Sequence, residues 1–198
     1  MKWRRFVLIG LFIGNLLVWY AAFAEDRGPW LRVAFLDIGQ GDAIFIEAPN
    51  GNQMLVDGGS GRQVLRRLSD FLPFYDRELD LVVATHPDAD HIGGLVDVLE
   101  RFTVGGFMSP GVSSDTLVYQ KLEEIVAKRA VSKITAGRGQ RIWLDRNIFL
   151  DVLSPGPGLV LADTNTASVV FKLSDGVNSF LLTGDAPLVV ERYLANLD

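Results

Sequence analysis

His86-Pro87-Asp88-Ala89-Asp90-His91 directly follows Leu79–Thr85, an apolar run that is typical of a strand buried on both faces. The motif contains both histidines of the 198-residue chain, interleaved with two aspartates and followed by Gly93-Gly94. A loop at the end of a strand can direct alternate side chains toward one point. We therefore predict that this loop builds a metal centre from His86, Asp88, Asp90 and His91.

The donor atoms of this motif indicate which ions it could bind. Imidazole nitrogen and carboxylate oxygen suit zinc, manganese or iron, and the large share of oxygen also leaves magnesium open. Five or more such ligands could hold two ions about 3.5–4 Å apart, an arrangement that activates water and clamps a phosphoryl group. The alternative is a solvated turn in which Asp88 or Asp90 caps the next helix. Capping explains one aspartate and neither histidine, so we favour the metal site.

Three other loops share one design, in which an apolar strand ends in an aspartate with glycine nearby. They contain Asp37, Asp57 and Asp185. Asp185 is our candidate for a carboxylate that bridges two cations. Asp57 is better suited to accept a hydrogen bond that orients a histidine or the loop backbone. Each of these loops, taken alone, could be an ordinary turn.

The remaining pattern predicts sheets that are covered by helices. Residues 31–56 alternate like three antiparallel strands, with a hairpin signal at Pro49-Asn50-Gly51-Asn52. Apolar spacing predicts helices near 61–71, 94–102 and 115–129, the last of them capped by Ser113 or Ser114. Five strands then follow between 132 and 183, an irregular loop interrupts them at 155–166, and a final helix covers 187–197.

The first 24 residues are predicted to be a membrane anchor or a signal peptide. Basic residues precede Phe6–Ala24, about 19 apolar residues that can just span a bilayer. Ala22-Phe23-Ala24 fits a signal-peptidase site, which would release a secreted chain after Ala24. Trp19 and Tyr20 resemble interfacial anchors, and we favour an uncleaved single span. In both cases residues 25–30 form a linker and residues 31–198 form an exported domain.

Composition restricts the chemistry of that domain. The chain has no cysteine, which excludes disulfides and thiolate ligands. Removing Lys2, Arg4 and Arg5 from 19 basic residues leaves 16 against 24 acidic residues, a net charge of −8. Such a surface does not bind nucleic acid by broad electrostatic attraction. A polyanionic substrate would need metal ions and a local cluster of arginines. The candidates are Arg62, Arg66, Arg67, Arg138 and Arg141. Most of them are explained equally well as solvated surface residues.

Several motifs in order resemble a known family. The stretch His86–Gly94 is similar to the signature loop of the metallo-β-lactamase superfamily. Its H-x-D-x-D-H form resembles the exported hydrolase domain of the ComEC-type branch, which belongs to DNA-uptake channels. Four further segments resemble that branch in its order: Phe35–Ala43, Val56-Asp57-Gly58-Gly59, Asn165-Thr166-Ala167-Ser168 and Leu182-Thr183-Gly184-Asp185.

The resemblance implies an α/β (α+β) fold, the αββα sandwich, with a site for two divalent ions at its rim. Zinc or manganese is expected, and magnesium is possible. One ion would be held by His86, Asp88 and Asp185, and the other by Asp90, His91 and Asp185. Asp90 would also orient the attacking water.

Further residues would act outside the ligand set. Asp57, as the strand-end carboxylate described above, would support catalysis by orienting the ligands, and the resemblance implies that Asn165 and Ser168 would lie near the site on the substrate side. The family continues with a His-His-Gly-Ser segment that supplies another ligand, and this chain has no third histidine. We therefore expect a fragment whose second metal site and second sandwich half are incomplete, with weak or no activity.

The predicted function is an exported, metal-dependent phosphodiesterase or nuclease that acts on DNA or another phosphodiester. Two alternatives remain open. The chain could be a non-catalytic metal- or DNA-binding remnant, or the same fold could hydrolyse a lactone, a thioester or a β-lactam.

The charge pattern of the N-terminus predicts the membrane topology. The basic residues before the apolar run should stay in the cytoplasm, which places Asp198 on the other side of the membrane. A reporter enzyme that works only outside the cytoplasm should therefore be active when it is fused after Asp198. The intact chain should also sediment with membranes. A soluble product that starts at Glu25 would contradict the anchor and favour the signal peptide.

Overall fold

The computed structural model describes residues 2–23, 28, 30–157 and 163–196. The possible cleavage site at Ala24, most of the linker 25–30, the middle of the loop 155–166 and the end of the helix 187–197 lie outside these ranges. The chain divides into two compact units, Met1–Trp30 and Leu31–Asp198. The first unit contains helix α1, Lys2–Phe23, whose segment Trp3–Tyr20 is long and apolar enough to cross a membrane.

The second unit begins with a six-stranded mixed sheet in the order β1-β2-β3-β4-β5-β6. The first three strands pair antiparallel, and β3 to β6 pair in parallel. The strands are β1 (Arg32–Phe35), β2 (Ile44–Glu47), β3 (Gln53–Val56), β4 (Glu78–Val83), β5 (Thr103–Ser109) and β6 (Ser132–Thr135). The helices between them are α2 (Gln63–Leu68), α3 (Ala89–Arg101) and α4 (Leu117–Lys128).

A second sheet of four antiparallel strands follows, in the order β10-β9-β8-β7. Its strands are β7 (Arg141–Asp145), β8 (Ile148–Ser154), β9 (Val170–Ser174) and β10 (Ser179–Leu182). A 3₁₀ turn, Asn165–Ala167, leads into β9, and helix α5, Leu188–Ala195, follows β10.

Alternation along the strands separates two cores. In β2 and β3, Phe45 and Leu55 face the helices, whereas Ile46 and Met54 face the second sheet. The strands are therefore apolar on both faces, which accounts for their continuous apolar sequence. Helix α5 packs against β8 and buries Val190. The layers run helix, sheet, sheet, helix, so the αββα sandwich inferred from the sequence is confirmed.

Two helix starts differ from the sequence predictions. Helix α3 begins at Ala89 instead of Gly94, because the Asp88 carbonyl accepts hydrogen bonds from the His91 and Ile92 backbone N–H groups. Gly93 and Gly94 therefore lie inside the helix. Helix α4 is capped by Thr116, whose side chain accepts from the backbone N–H of Tyr119, and not by Ser113 or Ser114.

The strand order places the polar segments at one edge of the sandwich. Parallel strands end at the same edge of a sheet, so the residues after β3 and β4 lie side by side. Those residues include Asp57 after β3 and Thr85 and His86 after β4. The residues after β10 include Asp185.

A matched pair of phenylalanines tests the first core. Phe45 is fully buried and Phe74 is 85% exposed. Phe45→Ala should lower the free energy of unfolding by about 3–5 kcal/mol, because it leaves a cavity in a packed core. Phe74→Ala should change it by less than about 0.5 kcal/mol. Chemical denaturation of the full chain in detergent measures both. Equal effects would contradict the assignment of the core.

Candidate metal centre

Two elements bring the histidines together. His86 follows β4 and is fully buried, and His91 lies in the first turn of α3 and is also buried. Their ring centroids lie 4.1 Å apart. The sequence predicted one loop for all four ligands. The structure instead divides them between a strand end and a helix start, because α3 begins at Ala89.

Asp185 reaches the same point from the second sheet. Its Oδ1 lies 3.5 Å from Nε2 of His91. One ligand atom from each of His86, His91 and Asp185 lies within 4.8 Å of the other two, a spacing that could hold a metal ion. In the part of the chain that the structure describes, this is the group of three or more potential ligands with that spacing.

The two aspartates of the motif lie beside this group. Asp88 occupies the N-cap position of α3 without a side-chain capping bond, so the capping alternative does not describe it. Its Oδ2 lies 3.8 Å from Nε2 of His86. Asp90 is half-buried on the first helical turn, and its Oδ2 accepts a hydrogen bond from Nε2 of Gln40 at 3.3 Å. Aspartates in a first turn also face the positive end of the helix dipole.

A buried carboxylate, Asp57, organises the centre. The residue is 1% exposed, and its Oδ1 accepts the backbone N–H of Thr85 at 2.8 Å. Its Oδ2 accepts the Thr85 hydroxyl at 2.6 Å and Nδ1 of His91 at 2.8 Å. An ionised carboxylate can only accept, so Nδ1 of His91 carries a proton and Nε2 is directed toward Asp185. Asp57 thus contacts a histidine and the loop backbone.

The two histidines have opposite pKa shifts. Burial lowers the pKa of His86, and the nearby His91 lowers it further. Burial also lowers the pKa of His91, but the hydrogen bond and charge of Asp57, together with the charges of Asp185 and Asp42, raise it to about 9. In the absence of a metal ion, His86 is therefore neutral and His91 is charged at neutral pH.

Close backbone packing keeps the helix start against the strand ends. The Gly58 N–H donates to the His91 carbonyl at 2.7 Å, and the Gly94 N–H donates to the Gly59 carbonyl at 2.9 Å. A Cβ added to Gly94 would lie 2.0 Å from the carbonyl oxygen of Gly58. The helix therefore approaches this loop only with glycine at position 94, which links Gly93-Gly94 to the site.

Asn165 and Ser168, predicted to lie on the substrate side, flank the 3₁₀ turn before β9. Asn165 Oδ1 and the Ser168 hydroxyl are buried and have no hydrogen-bond partner among the described residues. The Val169 N–H, next to Ser168, donates to the Thr85 carbonyl at 2.9 Å. The turn is therefore attached to the strand end that carries His86, while neither residue joins the group of His86, His91 and Asp185.

Acidic neighbours pair three of the five candidate arginines. The pairs are Arg62 with Asp97, Arg67 with Asp37 and Arg141 with Asp151, at 3.1, 2.8 and 2.6 Å. A fourth candidate, Arg138, donates to the hydroxyl of Tyr193. The pair with Arg67 also occupies Asp37, the third strand-end aspartate.

Three residues near the centre were not singled out from the sequence. Thr85 contacts Asp57 and His86, Gln40 contacts Asp90, and Asp42 acts on His91 through its charge. Gln40 and Asp42 belong to Phe35–Ala43, a segment that carries the family resemblance, but neither was given a role at the site. The available signal was that this segment leads into β2, the strand beside the one that ends at Asp57.

The residues present fit a divalent metal ion. His86 Nε2 is buried without a hydrogen-bond partner in the described ranges, which is costly unless an ion or another group satisfies it. The donors are imidazole nitrogens and carboxylate oxygens, which suit zinc, manganese or iron. Asp57 is not one of the three potential ligands, but its hydrogen bond orients His91, which is one of them.

The pKa of His91 predicts how stability depends on pH without metal. A folded pKa of about 9 against an ordinary value of 6.5 means that protonated His91 stabilises the fold. That contribution is complete below about pH 6.5 and is lost as the pH rises through about 9. In chelator, the free energy of unfolding should fall by on the order of 1–3 kcal/mol across this window.

The variant Asp57→Asn should remove that dependence, and Asp37→Asn, an exposed carboxylate, should keep it. His86 has a lowered pKa, so its own effect falls below about pH 6.5, outside the window. Denaturation curves at several pH values measure the slope. A wild-type slope that is flat from pH 6.5 to 9 would show that Asp57 does not hold a charged His91.

Comparisons with known proteins agree with this geometry. The chain is 32% identical over 177 residues to Recombination protein 2 of Haemophilus influenzae, covering 87% of this chain and 20% of that protein. It is 27% identical over 190 residues to ComE operon protein 3 of Bacillus subtilis, covering 84% of this chain and 23% of the relative. The chain spans about a fifth of the length of these relatives. They support the ComEC-type resemblance.

Solved structures share the fold at low sequence identity. MEM-A1, a subclass B3 metallo-β-lactamase from a soil metagenome library, superposes with a TM-score of 0.52 at 14% identity, over 78% of this chain and 60% of that one. A metallo-β-lactamase with a HARLDQ motif from Cronobacter sakazakii gives 0.52 at 14% identity, over 76% and 58%. The family model described as metallo-beta-lactamase superfamily matches residues 36–197. The chain therefore belongs to the metallo-β-lactamase superfamily.

Proposed function

We propose that this metallo-β-lactamase superfamily hydrolase is a metal-dependent phosphodiesterase that acts on DNA. The observation that carries the proposal is the group of His86, His91 and Asp185, whose ligand atoms lie within 4.8 Å of one another. Its two histidines are buried, and Asp57 and Thr85 hold them through hydrogen bonds. Such a constellation suits metal binding better than it suits a polar core.

We assign two ligand sets, as the family resemblance implies, and the positions of the side chains support them. His86 and Asp88 are neighbours at the end of β4, and with Asp185 they form the set for one ion. Asp90 and His91 stand on the first turn of α3, and with Asp185 they form the set for a second ion. Asp185 comes from the opposite sheet and lies beside His91, which supports its assignment as the shared carboxylate.

Divalent ions in such sites activate water and stabilise the charge that develops on a phosphoryl group. The protein's own part is to hold the ligands and orient the water. We assign the water to Asp90, whose carboxylate also accepts a hydrogen bond from Gln40. Asn165 Oδ1 and the Ser168 hydroxyl, buried and unpaired within the described residues, are the groups that we assign to the substrate side.

One observation supports DNA as the substrate. The relatives are named Recombination protein 2 and ComE operon protein 3, and they match this chain over 177 and 190 residues. The charge does not add to this support, because residues outside the anchor carry a net charge of −8 and three candidate arginines are paired with acids. A polyanion would therefore have to be held by the ions themselves.

The domain is proposed to act outside the cytoplasm while residues 6–24 hold the chain in the membrane. Helix α1 has the length and apolar composition of a span, and basic residues precede its apolar segment. A signal peptide that is cleaved after Ala24 remains the alternative, and it would place the same domain in the same compartment.

One observation favours a second candidate, a metal- or DNA-binding module with little catalysis. The chain contains two histidines, and both are assigned here, so the second ion has Asp90, His91 and a shared Asp185 from this chain. An ion that lacks the further histidine ligand implied by the family resemblance binds more weakly. Two-metal chemistry needs both ions to be bound at the same time. We therefore expect slow cleavage by the 198-residue chain alone.

Metal titration and DNA cleavage test the proposal in one experiment. Mn²⁺ or Zn²⁺ at a hundredfold excess over Kd should stabilise the full chain in detergent by about 2.7 kcal/mol, because the ion binds only the folded state. Asp88→Ala and His86→Ala should abolish the gain, and Asp115→Ala, an exposed aspartate on another loop, should keep it. A melting curve that no divalent ion changes would contradict the metal site.

Cleavage is then measured on labelled single- and double-stranded DNA with the same ions. We expect slow metal-dependent cleavage that falls on the order of a hundredfold or more in Asp90→Ala. Lactone, thioester and β-lactam substrates are assayed in parallel. Metal binding without cleavage of any substrate would favour the binding module, and turnover of one of these esters or amides in place of DNA would favour the same fold with another substrate.

A further inference from the structure

Thr85 uses each of its polar atoms at the junction of the two sheets. Its backbone N–H donates to Asp57 Oδ1 at 2.8 Å, and its carbonyl accepts the Val169 N–H at 2.9 Å. Its hydroxyl lies 2.6 Å from Asp57 Oδ2 and 3.0 Å from His86 Nδ1. The side chain is 1% exposed, so these contacts are sheltered from water.

The direction of these hydrogen bonds follows from the number of protons available. An ionised Asp57 has only acceptors, so the single hydroxyl proton of Thr85 points to Asp57. The hydroxyl can then only accept from His86, which requires the ring proton of His86 on Nδ1. The lone pair of His86 therefore lies on Nε2, the buried atom without a hydrogen-bond partner among the described residues.

The same hydroxyl acts on the second histidine through Asp57. Oδ2 of Asp57 accepts from both the Thr85 hydroxyl and His91 Nδ1, so the hydroxyl fixes the carboxylate that fixes His91. Each ring thus has its Nδ1 bound to the protein and its Nε2 directed to the proposed metal centre. A hydrogen bond on the far nitrogen both sets the tautomer and raises the basicity of a ligand histidine.

Thr85 also limits where the ligand from the other sheet can lie. Gly184, directly before Asp185, has a φ of +51°, and a Cβ added there would lie 3.0 Å from both Cβ and Oγ1 of Thr85. Glycine is therefore needed at 184 for both its backbone conformation and its close approach. The contact sets Asp185 beside His91.

We propose that Thr85 is a positioning residue that presents Nε2 of both histidines to a divalent metal ion. This inference rests on the proposed metal site. The alternative is that the hydroxyl only satisfies a buried carboxylate and contributes to stability.

The test uses the two imidazole rings as probes, because they are the only histidines of the sequence. The full chain, without a histidine tag, is labelled with ¹⁵N-histidine in detergent micelles, and long-range ¹H–¹⁵N spectra are recorded without metal at pH 8. The wild type should show neutral His86 with its proton on Nδ1. Thr85→Val keeps the shape but removes the hydroxyl, and it should shift His86 toward the Nε2-protonated tautomer.

Metal affinity is measured on the same samples with Mn²⁺ and Zn²⁺. Thr85→Val should bind about 10- to 100-fold more weakly, the usual cost of losing such a supporting hydrogen bond. Thr85→Ser restores the hydroxyl and should restore both the tautomer and the affinity. Thr103→Val, an exposed threonine at the opposite end of the parallel strands, is the matched control and should change neither.

The outcomes separate this inference from the proposed function. A wild type that binds neither ion would contradict the metal site itself. A wild type that binds metal while Thr85→Val keeps both tautomer and affinity would show that Thr85 has only a structural role. Should Thr85→Val not fold, the wild-type spectrum decides, since a His86 proton on Nε2 would overturn the inference and a proton on Nδ1 would support it.

Discussion

A buried carboxylate has to be satisfied by donors from its surroundings, and at Asp57 those donors come from the next strand and the next helix. Removing an ionised group from water costs several kcal/mol unless hydrogen bonds and opposite charge offset that cost. Asp57 receives the backbone and hydroxyl of Thr85 and the ring of His91. It also adopts a φ of +57°, which asparagine and aspartate tolerate better than most residues. The end of β3, the end of β4 and the start of α3 are therefore fixed by one side chain.

This arrangement joins stability and function in the same contacts. Asp57 binds no metal in our assignment, yet it keeps His91 in place and neutralises its charge when no ion is present. The glycine pair of α3 serves both purposes as well, since it lets the helix approach the β3 loop and brings His91 under the carboxylate. Substitutions at these positions would act on folding and on metal binding together, which is why spectroscopic readouts are needed to separate the two.

The sequence predicts the layers and the main ligands, because both depend on local patterns. Alternation in β2 and β3 indicates strands with two apolar faces, and the interleaved histidines and aspartates indicate a metal site. It does not predict that Thr85 contacts Asp57 or that Gln40 contacts Asp90, because the partners of these residues lie far away in the chain. Thr85 reaches Asp57 across 28 residues and Gln40 reaches Asp90 across 50. Apolar spacing predicts the start of α3 at Gly94, whereas the Asp88 carbonyl accepts the first helical hydrogen bonds and the glycine pair packs against the β3 loop from inside the helix.

The hydrogen bond from the Val169 N–H to the Thr85 carbonyl joins the second sheet to the first, and this junction bears on the order in which the protein folds. His86 and His91 are close in sequence, but Asp185 arrives from the last strand of the other sheet, and contacts of such separation form only after a large loss of chain entropy. The first sheet with its helices can assemble from neighbouring segments, whereas the three-ligand group exists only once the second sheet has docked. An ion that needs Asp185 together with either histidine would therefore be captured late, by an almost native molecule, and would slow unfolding more than it speeds folding.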